Sequence, residues 1–402
     1  THIVSLYADD ALVYVKDPRV AVTTLMDAMS EFGKASGLMV NKRKTILFPL
    51  GSGNGVMDAG ERPAGLTWEN HHFRYLGMQI TNAPDTRYEL NMGRVIQGLR
   101  GSIAFWNKLP LSVMGRVALS KMILLPRCLY VLQNSNCLIP KSTFAELNTL
   151  LVSLVWAGKR NRVKLDILKL DLEQGGLGLP DLRLYYLAGL LQYAAQWCAE
   201  GPNDEKKLLT GTVTPEELPG HLMGGGEGSP EVPFIVRQVV LAWRDAVTQV
   251  IRRAPYAKML PIAWLRPFRQ IQRVMDLTQW QEGGCTVMGD LYMDEKYVSR
   301  QMAMDLFSLP PGQYLQYAKI MHTVRGIWPV FPDEPVETHT LKILLDPGSR
   351  RGQISRIYGA LKQDRQPEMT ATRKRWDKIM PNPLSDNEWT RVCRQVKDVA
   401  SN

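Results

Sequence analysis

Cysteine is scarce and scattered: five in 402 residues, at Cys128, Cys137, Cys198, Cys285 and Cys393. The number is odd, the spacings are wide, and no Cys-x-x-Cys pair or Cys/His cluster occurs. That excludes a zinc site of the usual spacing and a disulfide framework, and it fits a reducing compartment. Histidine is equally thin, with six residues. His71 and His72 are adjacent, and neighbours on a strand point to opposite faces, so they make no ligand pair. No apolar run approaches the roughly 18 residues of a membrane span, and no signal-peptide pattern opens the chain, so no membrane association is expected. Acid is in deficit. Asp and Glu number 39 against 49 Lys and Arg, a net charge of +10. A basic excess favours polyanions, meaning nucleic acid or an acidic membrane face.

What is present is ordinary globular material, with 45% hydrophobic and 22% charged residues, which argues against disorder. The length allows two or three domains. The first residue is Thr1 and the chain opens inside a strand-like run, so the expectation is a fragment or truncated gene product.

Residues 2–8 and 11–16 are β-rich runs separated by Asp9-Asp10, which predicts a hairpin. Pro18 opens a helix carrying Val22, Leu25, Met26, Met29 and Phe32 at helical spacing. It ends between Gly33 and Gly37. Strand-like runs occupy 45–48 and 73–80, on either side of a Gly-rich loop at 51–60. From about residue 86 the pattern turns helical, over 87–108, 112–127, 141–157, 184–199, 233–254, 262–277, 296–307, 312–325 and 386–399. Glycines between prolines mark a linker near 218–232. The expected fold class is therefore α+β followed by mainly α.

Basic residues cluster. Arg87, Arg94, Arg100, Lys108, Arg116, Lys121 and Arg127 face a single acid, Glu89, over 87–127. Lys159, Arg160, Arg162 and Lys164 form a second group. Phosphate contacts need such clusters, although an amphipathic bundle with a solvated basic face has the same composition. At the hairpin tip two adjacent carboxylates repel each other, which a hard cation would relieve. A plain surface Asp-Asp turn reads the same in four residues.

The turn and the segments downstream of it, taken in order, carry a resemblance. Leu6-Tyr-Ala-Asp-Asp-Ala-Leu-Val13 is similar to motif C of the reverse transcriptases of non-LTR (LINE-type) retrotransposons. Phe32-Gly-Lys-Ala-Ser-Gly-Leu-Met-Val-Asn-Lys-Arg-Lys-Thr45 resembles their motif D, and Phe73-Arg-Tyr-Leu-Gly-Met-Gln-Ile80 their motif E, the primer grip. Residues 106–116 and 175–181 resemble thumb and post-thumb segments.

The resemblance implies the C-terminal half of a right-hand polymerase palm over 1–85, and a helical thumb and post-thumb segment over 86–200. A linker at 201–231 and a helical region of unassigned role at 232–402 would complete the chain. It implies an RNA-directed DNA polymerase using an RNA template, a DNA primer and dNTPs, with Mg2+ in a two-metal nucleotidyl transfer. It also implies a ribonucleoprotein of nucleus and cytoplasm.

By the same resemblance Asp9 is the main metal ligand and Asp10 the secondary carboxylate, while Tyr7 and Ala8 face primer and nucleotide. Lys44 would neutralise or protonate the leaving pyrophosphate; a solvated lysine in a Lys-Arg-Lys run is the plain alternative. Tyr75, Leu76 and Gly77 would grip the primer, where a core strand with a bulge glycine is the plain alternative. Arg94, Arg100, Lys108, Arg116 and Lys121, with the 159–164 group, would hold the hybrid duplex through its backbone.

Several family features are missing from this sequence. The motif A Asp would lie before Thr1, the fingers and N-terminal endonuclease are absent, and no Cys/His knuckle occurs. The chain alone is expected to make no DNA. The competing expectation is a non-catalytic retrotransposon remnant, at most a basic nucleic-acid-binding module.

Overall fold

The structure is a computed structural model. It describes residues 4–16, 18–50, 65–135, 137–198, 233–253, 278–285, 288–294, 296–327, 343, 348–349, 351–365 and 371–399. The predicted loop at 51–60, linker at 218–232 and helix at 262–277 lie outside the described residues. The chain divides into two compact units, Thr1–Val95 and Ile96–Asn402. That boundary falls about ten residues beyond the expected end of the palm segment.

In the first unit, β1 (Val4–Tyr7) and β2 (Asp10–Val13) pair antiparallel, with Val4 opposite Val13 and Tyr7 opposite Asp10. Helix α1 (Pro18–Ser36) is next. It stops at Gly37, whose left-handed backbone (φ 77°) lets its N–H return to the Gly33 carbonyl at 2.9 Å. β3 (Ile46–Leu47) runs parallel to β4 (Thr67–Trp68).

The run 73–80 is not the single strand expected. It folds back as β5 (His72–Tyr75) and β6 (Met78–Thr81), with Tyr75 opposite Met78. Leu76 and Gly77 both take positive φ, 45° and 83°. A two-residue turn with both central residues left-handed matches the twist of the strands it joins. Glycine does this freely, whereas leucine does it against its own Cβ. The described strands stay in two-stranded sheets and assemble no larger palm sheet.

A buried amide holds the second hairpin. Helix α2 (Arg94–Trp106) is preceded by a π-helical turn, Glu89–Gly93. Asn91 within that turn is buried and reaches the free edge of β6. Its Oδ1 accepts from the Gln79 N–H at 2.8 Å, and its Nδ2 donates to the carbonyls of Gln79 (3.0 Å) and Arg87 (3.1 Å). One side chain thus substitutes for a neighbouring strand. Asn91→Ala is expected to cost about 2 kcal/mol, because it leaves an edge N–H and C=O unpaired. The check is amide exchange at Gln79, which should accelerate; unchanged protection would refute the clamp.

Packing elsewhere in this unit is thin. Val22 is buried in α1, while Phe32, Leu38 and Met39 are exposed. Every residue of β1 is exposed, Leu6 at 73%. An apolar edge of this kind is an aggregation liability.

The second unit is helical apart from one short hairpin among the described residues. Its helices are the rest of α2, then α3 (Val113–Leu119), α4 (Leu125–Asn134), α5 (Lys141–Val155), α6 (Leu165–Lys169) and α7 (Leu182–Cys198). Farther on come α8 (Phe234–Arg253), α9 (Thr278–Glu282), α10 (Arg300–Leu306), α11 (Tyr314–Ile327), α12 (Gln353–Arg365), α13 (Ala371–Ile379) and α14 (Asp386–Val399). The hairpin is β7 (Tyr292–Met293) with β8 (Lys296–Tyr297), the latter at the start of the helix expected over 296–307.

A second π-helical turn, Ser120–Leu124, joins α3 to α4. Pro126, the second residue of α4, has no N–H to offer the preceding turn.

Helix α7 is the hub, packing against α4, α5, α8 and α12. Only Arg183 is charged in its 17 residues, and a helix apolar on most sides belongs at the centre of a core. Leu187, Ala188, Leu191 and Ala194 share that core with Val236, Val239, Ile357 and Leu361. The expected division at residue 200 therefore does not separate the cores: α7 and the helices beyond the linker bury one another. Asp181 starts α7 by accepting from the N–H groups of Arg183 (3.0 Å) and Leu184 (3.2 Å). Among the described residues no helix is long and apolar enough to cross a membrane.

Candidate catalytic hairpin and basic surfaces

The first hairpin turns in two residues, Ala8 and Asp9. Ala8 takes φ 53°, a left-handed conformation that a Cβ disfavours. Strained backbone of this kind costs about 1–3 kcal/mol and clusters at functional sites. The consequence is local: Asp9 sits at the tip and Asp10 opens β2, both exposed. Neither carboxylate makes a side-chain hydrogen bond or ion pair among the described residues. Tyr7 beside them is exposed as well.

Two carboxylates are the right kind of donor for a hard cation, which seeks oxygen. They fall short in number. Among the described residues no group of three His, Cys, Asp or Glu converges as a metal site.

Lys44 lies in the turn before β3, and its side chain is exposed. Asn41 organises that turn. Its carbonyl accepts from the N–H groups of Lys44 and Thr45, both at 3.0 Å, and its Oδ1 accepts from the Lys44 N–H at 3.3 Å. The Thr45 carbonyl then accepts from the Thr67 N–H at 3.1 Å, fixing the turn to β4. Asn41 is a positioning residue absent from the sequence-based expectations; an Asn before a short turn is a signal for such side-chain-to-backbone bonding. Among the described residues no hydrogen bond or ion pair joins Lys44 to Asp9 or Asp10.

At the second hairpin Tyr75 is half-buried, and its hydroxyl finds no protein partner. Phe73 packs on Phe48, centroids 4.8 Å apart. Gly77 is exposed at the tip, so another chain can approach its backbone.

The basic residues divide into kinds that composition does not distinguish. Arg94 in the first unit is exposed, and so are Lys108, Lys159, Arg160, Arg162 and Lys164 in the second. Arg100 is exposed but paired with Glu146. Such a surface pair is weak and yields readily to a phosphate.

Lys121 is exposed, with its Nζ against Gly178, where a Cβ would lie 3.1 Å away. Burial first, then the charge of Lys362, lowers its pKa, and Asp171 opposes that shift. Asp171 is itself ion-paired to Lys362. Lys121 therefore shares a charge cluster with Asp171 and Lys362 beside the 175–181 segment.

Arg116 is the clear correction. It is 4% exposed, and its guanidinium donates to the carbonyls of Leu111 (3.2 Å), Trp106 (3.4 Å), Leu154 (3.3 Å) and Leu109 (2.8 Å), and to Asn107 Oδ1 (3.2 Å). A side chain so enclosed, 4% exposed and turned to carbonyls, is out of reach of a phosphate. Most of these acceptors lie just before α3, in a segment the composition showed only as basic and apolar.

Beside the 159–164 loop lies an open groove of about 530 Å³. Lys159, Asn161, Asn148 and Thr149 line it with small apolar residues of α5. Its lining is more apolar than polar, with Lys159 at one rim and no acid among the lining residues. No protein-family model matches this sequence.

Proposed function

We propose that the chain is the downstream part of an RNA-directed DNA polymerase of a LINE-type retrotransposon. Its ligand is an RNA template paired to a DNA primer, and its substrates are dNTPs. The observation that carries this reading is an ordered series. An exposed Asp-Asp hairpin tip is succeeded by an anchored Lys44 turn, a second tight hairpin and then helices with exposed cations.

In this reading Asp9 and Asp10 contribute oxygen donors for Mg2+, which when bound neutralises phosphate charge during nucleotidyl transfer. Tyr7 and the strained Ala8 set the height of the tip beneath the primer end. Lys44 places an ammonium near the leaving pyrophosphate. Gly77 lets the primer backbone approach, and the exposed cations of the second unit track phosphates without reading sequence.

A second reading has its own support. In it the chain is a non-catalytic remnant that only binds nucleic acid, a role for which the exposed cations of the second unit suffice. The two separate in one assay. Joined to a family fingers-and-palm segment that supplies the first catalytic Asp, the chain should extend a DNA primer on RNA. A soluble chimera that binds the hybrid yet adds no nucleotide would leave the binding module.

Binding itself has a salt signature. Five exposed cations, Lys108, Lys159, Arg160, Arg162 and Lys164, predict a log K against log salt slope of about −4.5, since each phosphate neutralised contributes about −0.9. Charge removal in the 159–164 loop is best done pairwise: Arg160→Gln with Arg162→Gln should flatten the slope by about 2. A flat slope for the intact chain would refute the duplex surface.

A further inference from the structure

The last two described helices form a unit of their own kind. Helix α14 begins with a capping box. Glu388 accepts from the Ser385 N–H (2.9 Å) and hydroxyl (2.7 Å), and the Glu388 N–H returns to Ser385 Oγ (3.4 Å). Those bonds lower the Glu388 pKa. Arg373 of α13 reaches across to Asp386 at 2.5 Å and to the Leu384 carbonyl at 3.2 Å. Trp389 of α14 is 7% exposed; a Cβ on Gly175 would lie 3.9 Å from its ring and 3.6 Å from Cys393 Sγ. The helical hairpin is thus pinned from within and docked on the glycine segment through one tryptophan.

The other tryptophan of this pair of helices, Trp376 of α13, is exposed instead. At 3.6 residues per turn, Arg373 and Asp377 share the inner side of α13 with Met380 just past its end, and all three are half-buried. Lys374, Lys378, Arg375, Ile379 and Trp376 fan in that angular order around the outer side, all exposed. Trp376 is 51% exposed and Ile379 70%. Asp377, the one acid of the helix, is turned inward toward Arg373 at 3.9 Å. The outer arc therefore holds three cations, no acid, and a large aromatic within one turn of them.

We propose that this arc of α13 binds single-stranded nucleic acid, with Trp376 stacking on a base, Arg375, the nearest cation around the helix, on the adjoining phosphate, and Lys374 and Lys378 on phosphates farther along the strand. Cations beside an aromatic platform are what sequence-tolerant single-strand binding requires, because every base has a π-face and every nucleotide a phosphate. Duplex bases are already stacked and offer no face to Trp376. A membrane surface fits less well: the apolar part is two side chains on a nine-residue helix, a small area for interfacial anchoring. The pinned hairpin holds the platform before the ligand arrives, which limits the ordering cost. None of this depends on Asp9, Lys44 or the polymerase reading.

The test uses the full chain and fluorescently labelled oligouridylate of about 12 nucleotides, within the site sizes of single-strand binders. An RNA–DNA hybrid, anionic phospholipid vesicles and polyglutamate serve as competitors. Trp376→Ala is expected to weaken oligouridylate about tenfold or more, the loss of one stacked base. Trp376→Phe should keep affinity within about threefold, because a π-face remains. Lys374→Gln, Arg375→Gln and Lys378→Gln together should reduce the salt slope by about 2 to 3. Hybrid binding should survive Trp376→Ala, which separates this site from the duplex surface. The proposal is overturned if Trp376→Ala binds oligouridylate like the parent. It is equally overturned if vesicles or polyglutamate occupy the arc in preference to the oligonucleotide. All these side chains are exposed, so an unchanged circular dichroism spectrum is expected for each variant.

Discussion

Primer extension on an RNA template is expected to fall on the order of 10³-fold in Asp9→Ala, measured in the chain joined to a fingers-and-palm segment. A carboxylate that helps hold the charge-neutralising centre supplies several kcal/mol to the transition state, and each 1.36 kcal/mol is about tenfold in rate. Asp10→Ala should cost less, on the order of tenfold, because the proposed function gives it the secondary role. The geometry makes the comparison clean. Both side chains are exposed and unpaired among the described residues, and the hairpin is held by backbone pairing from Val4↔Val13 to Tyr7↔Asp10. Neither substitution removes a contact from the core, so stability should move by less than about 0.5 kcal/mol, the usual range for a surface change. Loss of extension at unchanged stability is then a chemical effect. Extension that survives Asp9→Ala would sink the catalytic assignment and leave the nucleic-acid-binding reading standing.

The parts of this molecule that are legible in its sequence share a physical origin. The Asp9 hairpin is legible because β-rich runs flank a two-residue polar break. Helices such as 141–155, 234–253 and 386–399 are legible because an apolar stripe repeats with the helical period.

What escapes is set by contacts between residues far apart or by backbone that violates local preference. The second hairpin hides because Leu76 takes φ 45°, which no propensity predicts, so the run looks like one strand. Asn91 hides because its work is to close the edge of a strand twelve residues away. The division at residue 200 misleads because a glycine-rich linker marks a break in sequence pattern, while α7 and α12, on opposite sides of it, share one core. Trp376 and Trp389 are alike in sequence; only the docking of α14 on Gly175 tells the buried one from the exposed one.

Arg116→Ala is expected to destabilise the second unit by about 3–5 kcal/mol, read as the free energy of urea unfolding, the cost of stranding a buried polar network. Composition counts Arg116 with the phosphate contacts; its surroundings make it a clamp. Helix α2 ends at Trp106 and α5 at Val155, and the last carbonyls of any helix lack intrahelical partners and carry partial negative charge. Arg116 meets both ends at once, through the Trp106 and Leu154 carbonyls, and ties the connecting residues Asn107, Leu109 and Leu111 to them. Hydrogen bonds to a charged group contribute about 1.5–3 kcal/mol each, and stranded buried acceptors cost about 1–3. Partial rehydration at the rim keeps the total below their sum.

Arg116→Lys should recover only part of the loss. An ammonium has its donors on one atom, and cannot reproduce a planar fork that reaches acceptors on several sides. Lys108→Ala is the matched contrast: that side chain is exposed, so stability should hold within about 0.5 kcal/mol while hybrid affinity falls. If Arg116→Ala instead unfolded at the parental urea concentration and lost hybrid affinity, the guanidinium would be a phosphate ligand and the clamp would be wrong. The contrast rests on burial alone: two neighbouring basic residues, equal in charge, act on different equilibria because one meets carbonyls and the other meets water.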